Sequence, residues 1–204
     1  MQEDKIQYSY SLEQIRKDLA DSREAVNTLL NDDNFMINLS KFINFSCERI
    51  KSNSKIIFCG NGGSAAESQH FASELTSKYR HIRNAINSVA LTTDTSAITS
   101  IGNDLGYEYI FSRQIEAIGQ EGDILIALST SGRSSNIINA LKAASENKIN
   151  SYLWTGDHDF DDLANIENLK IVKFPSKQTS LIQEQHLIIG HIYCGALENY
   201  IMNL

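Results

Sequence analysis

The chain opens with two stretches in which apolar positions recur every three or four residues. Leu12, Ile15, Leu19, Val26 and Leu29 make the first set, and Phe35, Leu39, Phe42 and Ile43 the second. That spacing predicts two amphipathic helices, and Asn31-Asp32-Asp33-Asn34 between them supplies turn and cap chemistry. The period then changes. Lys55-Ile-Ile-Phe-Cys59 is a short apolar run ended by Gly60, which predicts a buried strand. Similar runs follow at Ser88–Leu91, Asp123–Leu128, Ile149–Trp154 and Leu169–Phe174. Helical patterns separate them at about 64–80, 95–118 in pieces, 134–147 and 180–202, with a short turn near 159–165.

Strands that alternate with helices imply right-handed crossovers and a parallel sheet covered on both faces. The expected fold is α/β: a three-layer α/β/α arrangement around a five-stranded parallel sheet, with an N-terminal helical hairpin. The hairpin lies outside the alternation, so its apolar stripe is expected to pack against a second copy of the chain. With one Pro and 11 Gly there is no linker-like tract. Residues 1–204 read as a single domain, with 1–52 as the hairpin and 53–204 as the α/β core.

Composition narrows the partners. Among 204 residues, 42% hydrophobic and 21% charged side chains form an ordinary globular balance that argues against disorder. Lys+Arg 18 against Asp+Glu 25 leaves a net charge of −7. Such a field repels phosphate backbones, so nucleic acid is not an expected partner. A small phosphorylated ligand remains compatible, because a few local donors outweigh a weak global field. No apolar run approaches the ~20 residues of a membrane-spanning helix, and MQEDKIQYSY lacks the basic-then-apolar order of a secretion signal. Cys47, Cys59 and Cys194 are odd in number, widely spaced and set in apolar surroundings. They read as reduced core thiols in a cytoplasmic protein.

Two segments at strand ends have unusual composition. Gly60-Asn61-Gly62-Gly63-Ser64 follows the first strand, and Ser129-Thr130-Ser131-Gly132-Arg133-Ser134 follows the third. Open parallel sheets bind ligands at that edge. Glycine lets backbone approach a ligand, and helix N-termini present free N–H groups. The hydroxyls of Ser64, Ser129, Thr130, Ser131 and Ser134 add donors without a lysine. The combination suits a phosphomonoester, while each loop alone also fits a turn followed by an ordinary helix cap. The first loop departs from G-x-G-x-x-G spacing, and no Lys follows it as in a P-loop, which disfavours a nucleotide.

Together, Cys59-Gly-Asn-Gly-Gly-Ser64 and Leu128-Ser-Thr-Ser-Gly132 resemble the signatures of the SIS (sugar isomerase) family. Gln69-His-Phe-Ala-Ser-Glu-Leu75, Ile101-Gly-Asn-Asp104, Phe111-Ser-Arg113, and Ile182-Gln-Glu184 with His191 extend the likeness to its phosphoheptose isomerase branch. The resemblance implies a flavodoxin-like SIS fold and an aldose–ketose isomerisation through an enediol. The substrates it implies are sedoheptulose 7-phosphate and D-glycero-D-manno-heptose 7-phosphate, on the way to lipopolysaccharide or capsule. Such chemistry needs a base near the carbon, an acid near the oxygens and exclusion of water. His70 and Glu74 are spaced i,i+4 on the helix after the first loop and so share a face. Alone, such a pair reads as a surface helix contact.

By resemblance, Glu74 is the general base and His191 the complementary acid/base group. The sugar phosphate would meet Asn61, Gly62, Gly63, Ser64, Glu74, Asn103, Asp104, Ser129, Thr130, Ser131, Ser134 and Gln183. The resemblance also implies zinc held by His70, Glu74, Gln183 and His191, and a homotetramer. Two imidazoles, a carboxylate and an amide oxygen are a possible zinc set, the amide being its least usual member. Gln183 and His191, however, are eight residues apart, which on one straight helix is ~12 Å of rise and ~80° of rotation. Both reach one point only if Gln183 precedes regular helix or if two subunits contribute. A pocket at a subunit interface is therefore expected.

His186, one turn from Gln183, is a rival for the imidazole role, but in the apolar run His186-Leu-Ile-Ile-Gly190 it reads as a packed or hydrogen-bonded core histidine; His81 and His158 receive no role, and Asp94 reads equally as a helix cap. Three departures bear on the exact sugar: Leu181 and Lys78 stand where the branch usually carries Arg, and Thr155-Gly-Asp-His-Asp-Phe160 lacks its usual Gly-Gly run. Lys keeps charge without the planar fork, and Leu keeps neither. Two competing readings remain: a non-catalytic SIS adaptor for a replication initiator, which lacks equivalents of Glu74 and His191, and a sugar-phosphate sensor that binds without turnover.

Overall fold

The structure is a computed structural model that describes residues 10–204 apart from 161, 162 and 164. The leading periodic segments fold as α1 (Leu12–Leu30) and α2 (Asp33–Lys51). Ser11 and Asp32 cap them by accepting the N–H groups of Gln14 and Phe35. The alternation follows as β1 (Ile56–Gly60), α3 (Gly63–Thr76), β2 (Ser88–Ala90) and α4 (Thr95–Asp104). A single 3₁₀ turn (Tyr107–Tyr109) then leads to α5 (Ser112–Ile118), β3 (Ile124–Leu128), α6 (Ser135–Glu146), β4 (Asn150–Gly156), β5 (Leu169–Phe174) and α7 (Thr179–Met202). Asp94 caps α4 through the Ala97 N–H. The turn expected near 159–165 falls partly outside the described residues.

Among the described residues the five strands are all parallel, in the order β2-β1-β3-β4-β5. The chain leaves β1 toward one edge, then crosses back to place β3 on the other side of β1. The carboxyl ends of β1 and β3 therefore form a topological switch point. Gly60 pairs with Leu128 across that junction, so the two Gly/Ser-rich loops start side by side.

Alternate strand residues feed two cores. Ile56, Phe58, Ile126, Leu128, Trp154 and Phe174 pack under α2, α3 and α7. Ile57, Cys59, Leu125, Ala127 and Leu153 pack under the layer formed by α5 and α6. Every residue of β1 and β3 is buried, as central parallel strands covered on both faces must be. Cys47, Cys59 and Cys194 are free and buried. Burial pushes the thiols of Cys47 and Cys59 up to about 11 and about 12, so they stay protonated and unreactive. Among the described residues, no helix is long and apolar enough to cross a membrane.

The hairpin corrects one expectation. The apolar stripe of α2 is not held back for a second copy; it covers this chain's own sheet. Phe42 stacks on Tyr193 with ring centres 4.9 Å apart and lies 3.9 Å from Tyr152, and Gln185 of α7 donates to the Ala25 carbonyl of α1 at 2.7 Å. The sheet face beside α3 and α7 needs a third helix, and α2 supplies it. It is α1 that leaves Leu12, Ile15, Leu19 and Leu30 exposed. If the hairpin is part of the core, Phe42→Ala should lower unfolding free energy by about 3–5 kcal/mol within one cooperative urea transition. A separate, earlier transition for the hairpin would contradict this packing.

Candidate active site

Both loops are shaped by glycine. A Cβ on Gly60 would stand 2.6 Å from the Ser64 carbonyl oxygen. Gly62 and Gly132 sit at φ +56° and +63°, a left-handed conformation that costs glycine little. In the second loop the Gly132 N–H donates to the carbonyl and to Oγ of Ser129, both at 3.1 Å. The Arg133 N–H donates to Ser131 Oγ at 3.3 Å.

The caps separate the two readings of these loops. Ser134 holds the N-cap position of α6 in an extended conformation, as Ser11 does for α1, yet its hydroxyl makes no cap bond. Gly62, at the start of α3, has no side chain to cap with. The side chains of Ser64 and Thr130 make no hydrogen bond among the described residues; their carbonyls accept, that of Ser64 from the Ser68 hydroxyl and that of Thr130 from the Thr155 hydroxyl and the Gly156 N–H. Two helix N-termini and three hydroxyls without hydrogen bonds among the described residues thus lie on the loops at the switch point, an arrangement suited to a phosphate.

Two residues that the sequence reading passed over tie the loops together. Asn61 and Asn136 exchange side-chain amide hydrogen bonds at 2.9 and 2.8 Å, and the Tyr107 hydroxyl donates to Asn61 Oδ1 at 3.1 Å. Asn136 is buried, and its place in the first turn after Ser134 was the only available hint.

Helix α7 runs beside α3 in the same direction. Gln183 lies over Gly63, where a Cβ would come within 2.5 Å of its Nε2, and Gly190 faces Phe71, whose ring fills the space of a Cβ. One residue further, His191 meets His70, with their Nε2 atoms 2.8 Å apart. His70 Nε2 is 3.8 Å from Glu74 Oε1. The structure thus brings His70, Glu74 and His191 together at one level of the contact between α3 and α7 and sets Gln183 at the loop level. Because α7 is regular from Thr179, Gln183 does not precede the helix; within one chain, the ~12 Å of rise separates it from His191. Asn103 and Asp104 are exposed at the end of α4 and bond to each other at 2.7 Å. Lys78 is exposed and Leu181 half-buried.

The sequence pattern of the SIS domain matches residues 21–151, well over half of the chain. The chain belongs to the SIS domain family. It is 43% identical over 192 residues to a phosphoheptose isomerase of Sulfurimonas denitrificans, covering 94% of this chain and 95% of that one. It is 42% identical over 184 residues to one of Clostridium acetobutylicum, covering 90% and 93%. Solved structures agree. The phosphoheptose isomerase of Neisseria gonorrhoeae superposes with a TM-score of 0.82 at 35% identity, over 92% of this chain and 98% of that one. That of Francisella tularensis superposes with a TM-score of 0.85 at 29% identity and the same coverage.

The donors of this SIS site suit zinc in kind, since two imidazoles and a carboxylate are a common catalytic set. Among the described residues, no three His, Cys, Asp or Glu side chains already surround a common metal position. Tetrahedral binding of two nitrogens at about 2.0–2.1 Å would hold them about 3.3 Å apart, against 2.8 Å between His70 and His191. The difference is within reach of a small ring rotation. A separate cavity of about 570 Å³ between α2 and β5, lined in part by Phe35, Phe42, Tyr152 and Lys170, contains none of the site residues.

Burial and the neighbouring His70 hold the His191 imidazole below its ordinary range, with Glu74 opposing and Arg80 adding to the effect. It is therefore neutral at pH 7, and one Nε2–H of the His70–His191 pair donates to the other nitrogen. His186 is fully buried, edge-on to Phe174 with ring centres 4.5 Å apart. Its Nδ1 stands 3.8 Å from Glu67 Oε2, and neither atom has a hydrogen-bond partner among the described residues. It is a packed core histidine, as expected, with its pKa lowered by burial against the pull of Glu67. The unfolded chain binds that proton near pH 6.5 and the folded chain only at lower pH. Stability should therefore fall as pH drops below about 6.5, and the loss of melting temperature between pH 7 and 5.5 should be smaller in His186→Gln. Equal losses in both proteins would place the acid sensitivity elsewhere.

Proposed function

We propose that this chain interconverts sedoheptulose 7-phosphate and D-glycero-D-manno-heptose 7-phosphate, supplying heptose for lipopolysaccharide or capsule. The observation that carries the reading is the match between substrate length and the distance along α3 from the Gly/Ser loop to His70 and Glu74. From Ser64 at the loop to His70 and Glu74, α3 rises ~9–15 Å. An extended seven-carbon chain with a terminal phosphate spans roughly 10 Å from phosphorus to C1, given carbon–carbon bonds of about 1.5 Å. A phosphate seated on the free N–H groups and on the hydroxyls of Ser64, Ser129, Thr130, Ser131 and Ser134 leaves the reacting carbons beside Glu74 and His191.

In this reading Glu74 carries the proton between C1 and C2, and the neutral His191 exchanges a proton with the sugar oxygens. Asn61, Gly62 and Gly63 shape the phosphate end, Gln183 sits over it, and Asn103 and Asp104 are assigned to the sugar hydroxyls. The adaptor reading is disfavoured by the presence of Glu74 and His191 and by relatives that carry the isomerase name. We also propose zinc at His70, Glu74 and His191; Gln183 completes the set only from a second subunit. Zinc would polarise the carbonyl oxygen. The exposed Leu12, Ile15 and Leu19 of α1 and Leu187, Ile188 and Ile192 of α7 support a homotetramer with pockets at its interfaces. The compartment we propose is the cytoplasm.

Glu74→Gln should lower turnover of sedoheptulose 7-phosphate by about 10²–10⁴-fold or more, and unchanged turnover would remove Glu74 from the mechanism. Protein purified without chelator should carry zinc, and chelation should reduce activity that added zinc restores. Full turnover by metal-free protein would rule the metal out of the reaction.

A further inference from the structure

We infer that Tyr79 is a positioning residue for His191, held in place by the buried carboxylate of Glu198. The functional part of this inference rests on the isomerase reading; the geometric part does not. Among the described residues, the His191 side chain makes one hydrogen bond, from Nε2 to His70. Its ring plane is set by packing. The Tyr79 ring stacks on it with centres 5.6 Å apart and planes 20° from parallel, and Phe71 meets it edge-on at 6.4 Å. Metal-binding and catalytic histidines are usually oriented by a hydrogen bond to the second nitrogen. Here an aromatic face takes that place.

Tyr79 lies beyond the end of α3, on a segment with no regular structure, and such a segment needs an anchor to hold a ring. Glu198 provides it. This residue is two turns after His191 on α7 and fully buried. Its Oε1 accepts the N–H of Tyr79 at 2.9 Å, and its Oε2 accepts those of Arg80 at 2.8 Å and His81 at 3.1 Å. Three consecutive backbone donors on one carboxylate fix the path of that segment. The Arg83 side chain, also buried, brings Nε to 3.7 Å from Glu198. Its guanidinium donates to the carbonyls of Glu74 at 2.8 Å and Leu75 at 2.7 Å. The carboxylate thus ties together the end of α3 that bears Glu74, the Tyr79 segment and the helix that bears His191. Gly195 leaves room for the ring, since a Cβ there would stand 3.1 Å from Tyr79 Cε1. A buried carboxylate is costly unless its oxygens are satisfied, and here the donors come from the segment that it orders.

Truncating Glu198 risks unfolding the chain, so the test is made on Tyr79. Tyr79→Ala should lower kcat by about 10–100-fold, the scale of a misplaced catalytic group, with KM little changed and the chain still folded at assay temperature. Tyr79→Phe, which keeps the stacking face, should restore kcat to about the unmodified level. Unchanged kcat in Tyr79→Ala, or an equal loss in both variants, overturns the inference. The imidazole ¹⁵N–¹H spectrum gives an answer independent of turnover. His191 resonances should move in Tyr79→Ala and return in Tyr79→Phe, and resonances unmoved by Tyr79→Ala also overturn it. If the unmodified enzyme fails to turn over sedoheptulose 7-phosphate, the isomerase reading falls, and the histidine spectra still decide whether Tyr79 orients His191.

Discussion

Close approach of two parallel helices is the constraint on which the rest of the site depends. Helix α7 can present Gln183 and His191 to α3 because glycines stand where the two surfaces meet. Gly63 lies under Gln183, Gly190 lies against the Phe71 ring, and Gly195 makes space for Tyr79. A methyl group at Gly190 would drive into Phe71, and the helices would have to separate. Because they run in the same direction, the order of residues along one is matched by the order along the other. The loop end of the groove has Gly63 and Gln183, the middle has His70, Glu74 and His191, and the far end has the Glu198 anchor. In the proposed function, a sugar phosphate laid along α3 meets anion-binding chemistry at the loop end and proton-transfer chemistry at the middle level.

The architecture was largely legible in the sequence, because β1 and β3 are apolar at nearly every position and because Ser11, Asp32 and Asp94 are conventional cap residues at their helix starts. The destination of the α2 stripe was not. A hydrophobic period identifies a buried face and leaves open whether its partner is the same chain or another. Helix α7 was harder still. It buries residues on more than one side, from Ile182 and Gln185 to Cys194 and Leu197, so no single face stands out. The eight-residue gap from Gln183 to His191 argued against one common point, and the structure uses that gap as distance along the groove. Asn136, Tyr107, Tyr79 and Glu198 carry no motif. Glu198 in particular reads as an ordinary helix-surface carboxylate until the three backbone N–H groups around it are seen.

Buried polar groups are handled in two ways. Burial would push the Glu198 carboxyl up, but the three N–H groups and Arg83 hold it below its usual range. Glu67 and His186 have no such partners, and there burial keeps the imidazole neutral. The first arrangement fixes geometry beside Glu74 and His191, and the second lies in the packed layer between α3 and α7. A neutral His191 is also the state that the proposed proton exchange requires, because a fixed positive charge there would leave it no nitrogen to accept with.

The most direct measurement of this account is a crystal structure of the Glu74→Gln protein soaked with sedoheptulose 7-phosphate. The phosphate is expected between the N-termini of α3 and α6, in contact with Ser64, Thr130 and Ser134, and the C1–C2 bond beside residue 74 and His191. A sugar bound in the opposite sense, or in another cavity with this groove empty, would contradict it.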